Sequence, residues 1–182
     1  MDYESSLQLM HAHTKSEALR RHMYAVEASM RAYARLWDEE EEKWGIVGLL
    51  HDFDYEMHPN APDHPAKGSE ILREHGYPED VRNAILSHAD YMNVARDSKM
   101  AKALYACDEV CGFVGAVAVI RPNKLKDLEP SSVKKKLKDK GFARNVSRED
   151  IEKGIQDLGV SMDEHLRLVI DAMRADSERL GL

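Results

Sequence analysis

Four histidines and two aspartates fall in one ordered series along the chain: His22, the adjacent pair His51-Asp52, His64, His88 and Asp108. Imidazole nitrogens and carboxylate oxygens are ligands for zinc, iron, manganese, nickel, cobalt or magnesium. Six of them on one small domain could hold one divalent ion, or two with water bridging them. No common structural need calls for such a series. An adjacent His-Asp pair can ligate together only where a helix ends or distorts, because neighbours on a regular helix diverge by about 100°. Asp108 falls on an apolar helical stripe with Leu104 and Cys111. A carboxylate there needs a partner, since burying an unpaired charge is costly, and a bound cation supplies one.

Helices must position these groups. Thr14-Lys15-Ser16-Glu17 has the form of a capping box. Leu19, Met23, Val26, Met30, Tyr33 and Trp37 follow at steps of three and four, one helical stripe with His22 beside it. The acidic run 38–42 suits the first turn of the next helix. That helix carries Trp44, Val47 and Leu50 and ends at His51-Asp52. Pro59, Asn60 and Pro62 then break the chain. A short helix is expected from His64-Pro65 to near Gly76, another from Pro78 carrying His88, and a longer one from about Asp97 to Ile120 carrying Asp108. Ser147 to Asp150 and Ser161 to Glu164 are two further capping boxes, each opening a helix. No strand signal, internal repeat or glycine-rich phosphate loop is present. The expected fold is all-α: a metal-binding helical domain over 1–120, and a basic segment with C-terminal helices over 121–182 packed on it as one structural unit.

The chain has 182 residues, and its net charge of −7 argues against a general nucleic-acid coat. Cys107 and Cys111 lie one helical turn apart and read as small core residues in a reducing compartment. The longest apolar stretch, Val110 to Ile120, is short of the roughly 20 residues a bilayer span needs. With no basic start or apolar core of a secretory signal near Met1, a cytoplasmic protein without membrane attachment is expected. Charge is unevenly spread. Residues 121–148 carry ten cations against three carboxylates, a local +7, so the remainder carries about −14.

The text around the six residues narrows the reading. Gly48-Leu49-Leu50-His51-Asp52-Phe53-Asp54 is an apolar helix end carrying the pair, and His64-Pro65-Ala66-Lys67-Gly68-Ser69-Glu70-Ile71-Leu72 is an HPxxGxxIL segment. With the ordered set, over roughly residues 15–120, these resemble the HD-domain superfamily of metal-dependent phosphohydrolases. The resemblance implies an HD-type helical bundle with a helical C-terminal extension. It implies that His22, His51, Asp52 and Asp108 converge on a metal, with His64 and His88 holding a second ion and Asp52 bridging. The implied reaction is hydrolysis of a phosphoester in a small phosphorylated metabolite or nucleotide by metal-activated water. Asp52 could also accept a proton. Some relatives carry a lysine three residues after the Asp of the pair. Tyr55 stands there in this chain, and Lys67 is the candidate to assist instead.

Segment 131–144 is similar to the C-terminal part of a bacterial subgroup of predicted HD hydrolases. Arg121, Lys124, Ser132, Lys135, Lys136 and Arg144 are candidates to bind an anionic substrate near the metals, against the alternative of a solvated basic helix. Two other functions share the residues: a di-iron oxygenase of the HD fold using the same ligands, and a non-catalytic module binding nucleotide or RNA through the basic segment. Glu27 could accept a hydrogen bond from a ligand imidazole or be exposed, and Asp54 and Asp90 share that ambiguity. His11, His13, His58, His75 and His165 read as surface residues, with His58 able to line the mouth of the site.

Overall fold

The computed structural model describes all 182 residues as ten α-helices and one 3-10 turn, with no strand. The first part comprises α1 (Tyr3–His13), α2 (Glu17–Trp37), α3 (Glu41–Leu50), α4 (Asp63–Glu74), α5 (Glu79–Leu86) and α6 (Lys99–Val119). The second comprises α7 (Pro130–Leu137), α8 (Arg148–Leu158), α9 (Met162–Ala175) and α10 (Ser177–Leu180). No helix is long and apolar enough to cross a membrane.

The two long helices, α2 and α6, frame the domain, and α3 lies against α2. The stripe on α2 buries Met23, Val26, Met30 and Tyr33. Its cap differs from the expected one. Ser16, not Thr14, accepts the Leu19 N–H, while Thr14 ends α1 and donates its hydroxyl to the Phe53 carbonyl at 3.0 Å. From Trp44 to Leu50 every residue of α3 is buried, as expected of a helix surrounded by others. Close approach to α2 requires Gly48, where a Cβ would stand 2.8 Å from the Glu27 backbone. Ser98 caps α6 by accepting the Ala101 N–H at 3.1 Å. α5 ends at Leu86, so His88 lies just past the helix expected to carry it.

The C-terminal helices share the core of the first part. Val133, Ile151, Leu166 and Ile170 belong to the same hydrophobic cluster as Met23, Leu50 and Leu104. α8 docks on α6 with Gly154 against Ala106, where a Cβ would lie 2.9 Å from the Ala106 Cα. Ser147 caps α8 and Ser161 caps α9, the latter in a complete capping box with Glu164.

Two polar residues occupy the core against expectation. His165 is buried, not at the surface. It links α9 to the Tyr33 hydroxyl at 2.5 Å and to the Ala106 carbonyl at 2.9 Å, and burial pushes its pKa down to about 4. Glu27 is 2% exposed and takes the Arg31 and Arg179 guanidinium groups at 2.9 and 3.1 Å. It is therefore neither an exposed helix residue nor a partner of a ligand imidazole. Cys107 and Cys111 are buried free thiols, and burial pushes Cys111 up to about 12.

Candidate metal centre

Five helices deliver the six side chains to one place. His22 comes from α2 and Asp108 from α6, His51 and Asp52 follow the last residue of α3, His64 opens α4, and His88 follows α5. His51 keeps helical dihedrals (φ −60, ψ −34) and the turn after it aims Asp52 at the same space. A helix end is what lets both neighbours point one way.

The donors form two triads. In the first, His22 Nε2 lies 3.0 Å from Asp108 Oδ1, and His51 Nε2 lies 3.3 Å from His22 Nε2 and 3.5 Å from Asp108 Oδ1. In the second, His64 Nε2 and His88 Nε2 lie 3.2 and 3.5 Å from Asp52 Oδ1 and 3.3 Å from each other. Asp52 Oδ2 turns back toward the first triad, 3.5 Å from His51 Nε2 and 3.9 Å from His22 Nε2. One carboxylate therefore presents an oxygen to each group.

These separations fit a cation. Two donors each about 2.1 Å from an ion stand about 3.0 Å apart at a right angle and about 3.4 Å apart at a tetrahedral one. The protonation pattern fits as well. His51 Nδ1 donates to the Gly48 carbonyl at 2.8 Å, and His88 Nδ1 donates to the Ile85 carbonyl at 2.5 Å. Both are carbonyls three residues back, freed because each helix ends there. His64 Nδ1 donates to Asp54 Oδ1 at 2.8 Å, and Asp54 Oδ2 accepts the Gly68 N–H at 2.8 Å. Three of the four imidazoles are thus pinned with the Nε2 lone pair facing inward, as metal-ligating histidines are. Asp54 is the buried residue that orients His64. Gly68 is required because a Cβ there would lie 2.7 Å from the Asp54 Cγ.

Without an ion the centre draws protons instead. Burial works against charged His51, His64 and His88, but Asp52, Asp54 and Asp108 outweigh it, raising all three and taking His64 up to about 9. Burial likewise works to raise Asp52 and Asp108, yet the surrounding histidines hold both below the usual carboxylate range. A compact group that pulls in positive charge this strongly is a cation site in electrostatic terms.

The triads open onto a cleft of about 540 Å³. Its other polar walls are Tyr55, Tyr91, Tyr105, Asp90, Glu109 and Asp150, and no lysine or arginine lines it. Asp90 is paired with Arg96 at 2.6 Å and Lys153 at 2.5 Å, and Asp150 accepts the Tyr105 hydroxyl at 3.0 Å. Burial, then the nearby Asp108, pushes Glu109 up to about 7. Tyr55 packs edge-on against His64, 5.1 Å between ring centres. Of the cleft residues, Tyr91, Tyr105, Glu109 and Asp150 went unread in sequence. The signal open to reading was Glu109 beside Asp108; the others are set by packing.

The remaining candidates lie elsewhere. Lys67 is exposed with its amine on Glu70 at 3.1 Å, away from the cleft. The expectation that it sits a turn after His64 fails because His64 is not yet helical (φ −79, ψ 137). Arg121 pairs with Asp127 at 2.7 Å, Lys124 reaches the Gly181 carbonyl at 2.8 Å, and Lys136 stands over the Phe142 ring at 4.9 Å. Ser132 and Lys135 sit on α7, off the cleft, and Arg144 lines a neighbouring groove. His58 is off the cleft too. His11 is exposed with Tyr24, His13 is half-buried against Phe53, and His75 is exposed.

The family model for the HD domain matches residues 19–112, just over half of the chain. The chain belongs to the HD-domain family. That family is a superfamily of metal-dependent phosphohydrolases, and the matched span holds all six candidate ligands. The basic segment and the last four helices of this HD-domain protein fall outside the match. No curated protein and no solved structure matches the chain.

Proposed function

We propose that this HD-domain protein is a metal-dependent phosphohydrolase acting on a small phosphorylated metabolite or nucleotide. The observation that carries the reading is Asp52, whose two oxygens face two separate triads at the floor of an open cleft. Divalent ions held by those triads would supply Lewis acidity toward phosphoryl oxygens and a water of lowered pKa.

The chain's own residues do the rest. Gly48, Ile85 and Asp54 fix the ring orientations of His51, His88 and His64, so the donors need little reorganisation. Tyr55, Tyr91 and Tyr105 wall the cleft. Since no lysine or arginine lines the cleft, ions held by the triads would be the main countercharge there for a phosphoryl group. Tyr55 takes the place of the lysine that some relatives carry, which removes one neutralising group from the leaving-oxygen side.

The test is phosphate release under anaerobic conditions, with the protein loaded in turn with Zn, Mn, Fe, Ni, Co and Mg. Asp52→Ala should abolish turnover and metal retention while circular dichroism stays unchanged. A fully active Asp52→Ala protein overturns the reading. So does dioxygen consumption by the iron-loaded protein with no phosphate released.

A further inference from the structure

Beside the metal cleft lies a second groove of about 620 Å³. Val146 lines both, so the two cavities adjoin at this residue. The two cavities contrast in charge. No lysine or arginine lines the cleft, whereas the groove is rimmed by Lys138, Lys140 and Arg144, none of which has an ion-pair partner. Lys134 also lines it but is held by Asp163 at 2.7 Å. Glu152 is the groove's one carboxylate. With Arg148, which is bound only to carbonyls, four cations lacking a carboxylate partner stand against one carboxylate, a net +3 that exceeds the negative charge of one phosphate dianion. The floor is apolar, made by Leu137, Ile151 and Met162.

The wall between the cavities is a fixed piece of structure. The Arg148 guanidinium lies under the loop that follows α7. It donates to the carbonyls of Ala143 at 2.6 Å, Val146 at 2.7 Å, Asp139 at 3.4 Å and Phe142. It also stacks on Phe113 of α6 at 4.8 Å. Ser147 ties the end of the loop to the cleft by donating its N–H to Glu109 at 3.1 Å. Arg144 and Val146 are therefore held in place relative to the helix that carries Asp108.

We propose that the groove binds a second phosphate of the same substrate. The ligand is a bis-phosphorylated compound lying across Val146, with its reacting phosphoryl group at the triads and its other phosphate on Lys138, Lys140 and Arg144. An apolar or ring-shaped connector rests on the apolar floor. This rests on the phosphohydrolase reading and adds the substrate class to it. The charge that the cleft wall lacks is supplied one residue away, where it orients the molecule without competing for the reacting group.

The probe is a series of α,ω-alkanediol bisphosphates of increasing chain length, each compared with the monophosphate of the same alcohol on metal-loaded protein. One length is expected to be favoured in kcat/KM over its monophosphate by about 10- to 30-fold, the scale of a few exposed charge pairs. The triple variant Lys138→Gln/Lys140→Gln/Arg144→Gln should bring that ratio to about one. A charge-matched control, Lys15→Gln/Lys126→Gln/Lys135→Gln, should leave the ratio high. A flat series overturns the proposal, as does a preference that survives the triple variant or falls equally in the control. If no ester is turned over, the hydrolase reading has failed and the groove is judged by calorimetry. There the bisphosphate should bind the wild type about 10-fold tighter than the triple variant, and equal affinities overturn the groove site.

Discussion

Gly68→Ala should separate the two triads. An added Cβ would sit 2.7 Å from the Asp54 Cγ and 2.8 Å from its Oδ2, closer than carbon and oxygen tolerate. Asp54 is fully buried, so it must slide within a packed interior. Two hydrogen bonds are lost or stretched: Gly68 N–H to Asp54 Oδ2, and His64 Nδ1 to Asp54 Oδ1, both 2.8 Å. Losing a partner of this kind costs a metal site about 10- to 100-fold in affinity. That loss should fall on the Asp52-His64-His88 triad. The His22-His51-Asp108 triad has no contact with Asp54 and should hold its ion as before. Overpacking should lower fold stability by about 1–3 kcal/mol. The assay is metal counting after dialysis against graded chelator, which resolves a tight and a weak step. Asp54→Ala removes the same hydrogen bond without the clash and should weaken the same step. Unchanged retention of both ions in Gly68→Ala, or an equal loss of both, would refute the reasoning.

Other outcomes follow from the same contacts. In chelator, raised pKa values at His51, His64 and His88 mean stability that is full below the ordinary 6.5 and is lost as pH rises. His64, with its shift to about 9, contributes about 3 kcal/mol of this. Melting temperature of the metal-free protein should thus fall from pH 6 to 9.5, while metal affinity rises over the same window as imidazolium gives way to imidazole; a flat apo profile would count against it. Glu27→Ala should cost about 3 kcal/mol by leaving Arg31 and Arg179 without their shared carboxylate. Its metal content should not change, and a loss of metal would show that Glu27 acts on the centre. Gly154→Ala forces α8 off the Ala106 backbone and should lower the urea midpoint by an amount worth about 1–3 kcal/mol; an unchanged midpoint would mean that the helices are not locked at that point.

The helices were legible because each depends on local pattern, and the gathering of the His/Asp series was legible through the resemblance of the ordered set and its context to the HD-domain superfamily. The stripe on α6 is buried at Leu104 and Cys111, the one on α2 is buried at Met23, Val26, Met30 and Tyr33 and half-buried at its ends, Leu19 and Trp37, and the His-Asp pair stands at a helix end where both side chains can converge. Misreadings arose where a residue's surroundings come from far along the chain. His165 and Glu27 look like exposed positions until Tyr33 and Arg179 arrive from 132 and 152 residues away. Lys67 was placed by helical spacing that begins only after His64. The net charge of the basic segment is visible in sequence, which leaves open whether it faces the metals or solvent; its place in a groove beside the cleft depends on packing.

The docking of α8 on α6 has a consequence for how such a protein can diverge. The inner floor of the cleft comes from the family-matched span, while Val146 and Asp150 come from beyond it. Changes in the C-terminal third can therefore retune which molecules fit, leaving the ion-holding machinery untouched. A chain cut after Ile120 would keep the six donors in its text. It would lose Val146 and Asp150 from the cleft wall, lose the neighbouring basic groove, and strip the covering from Ala106.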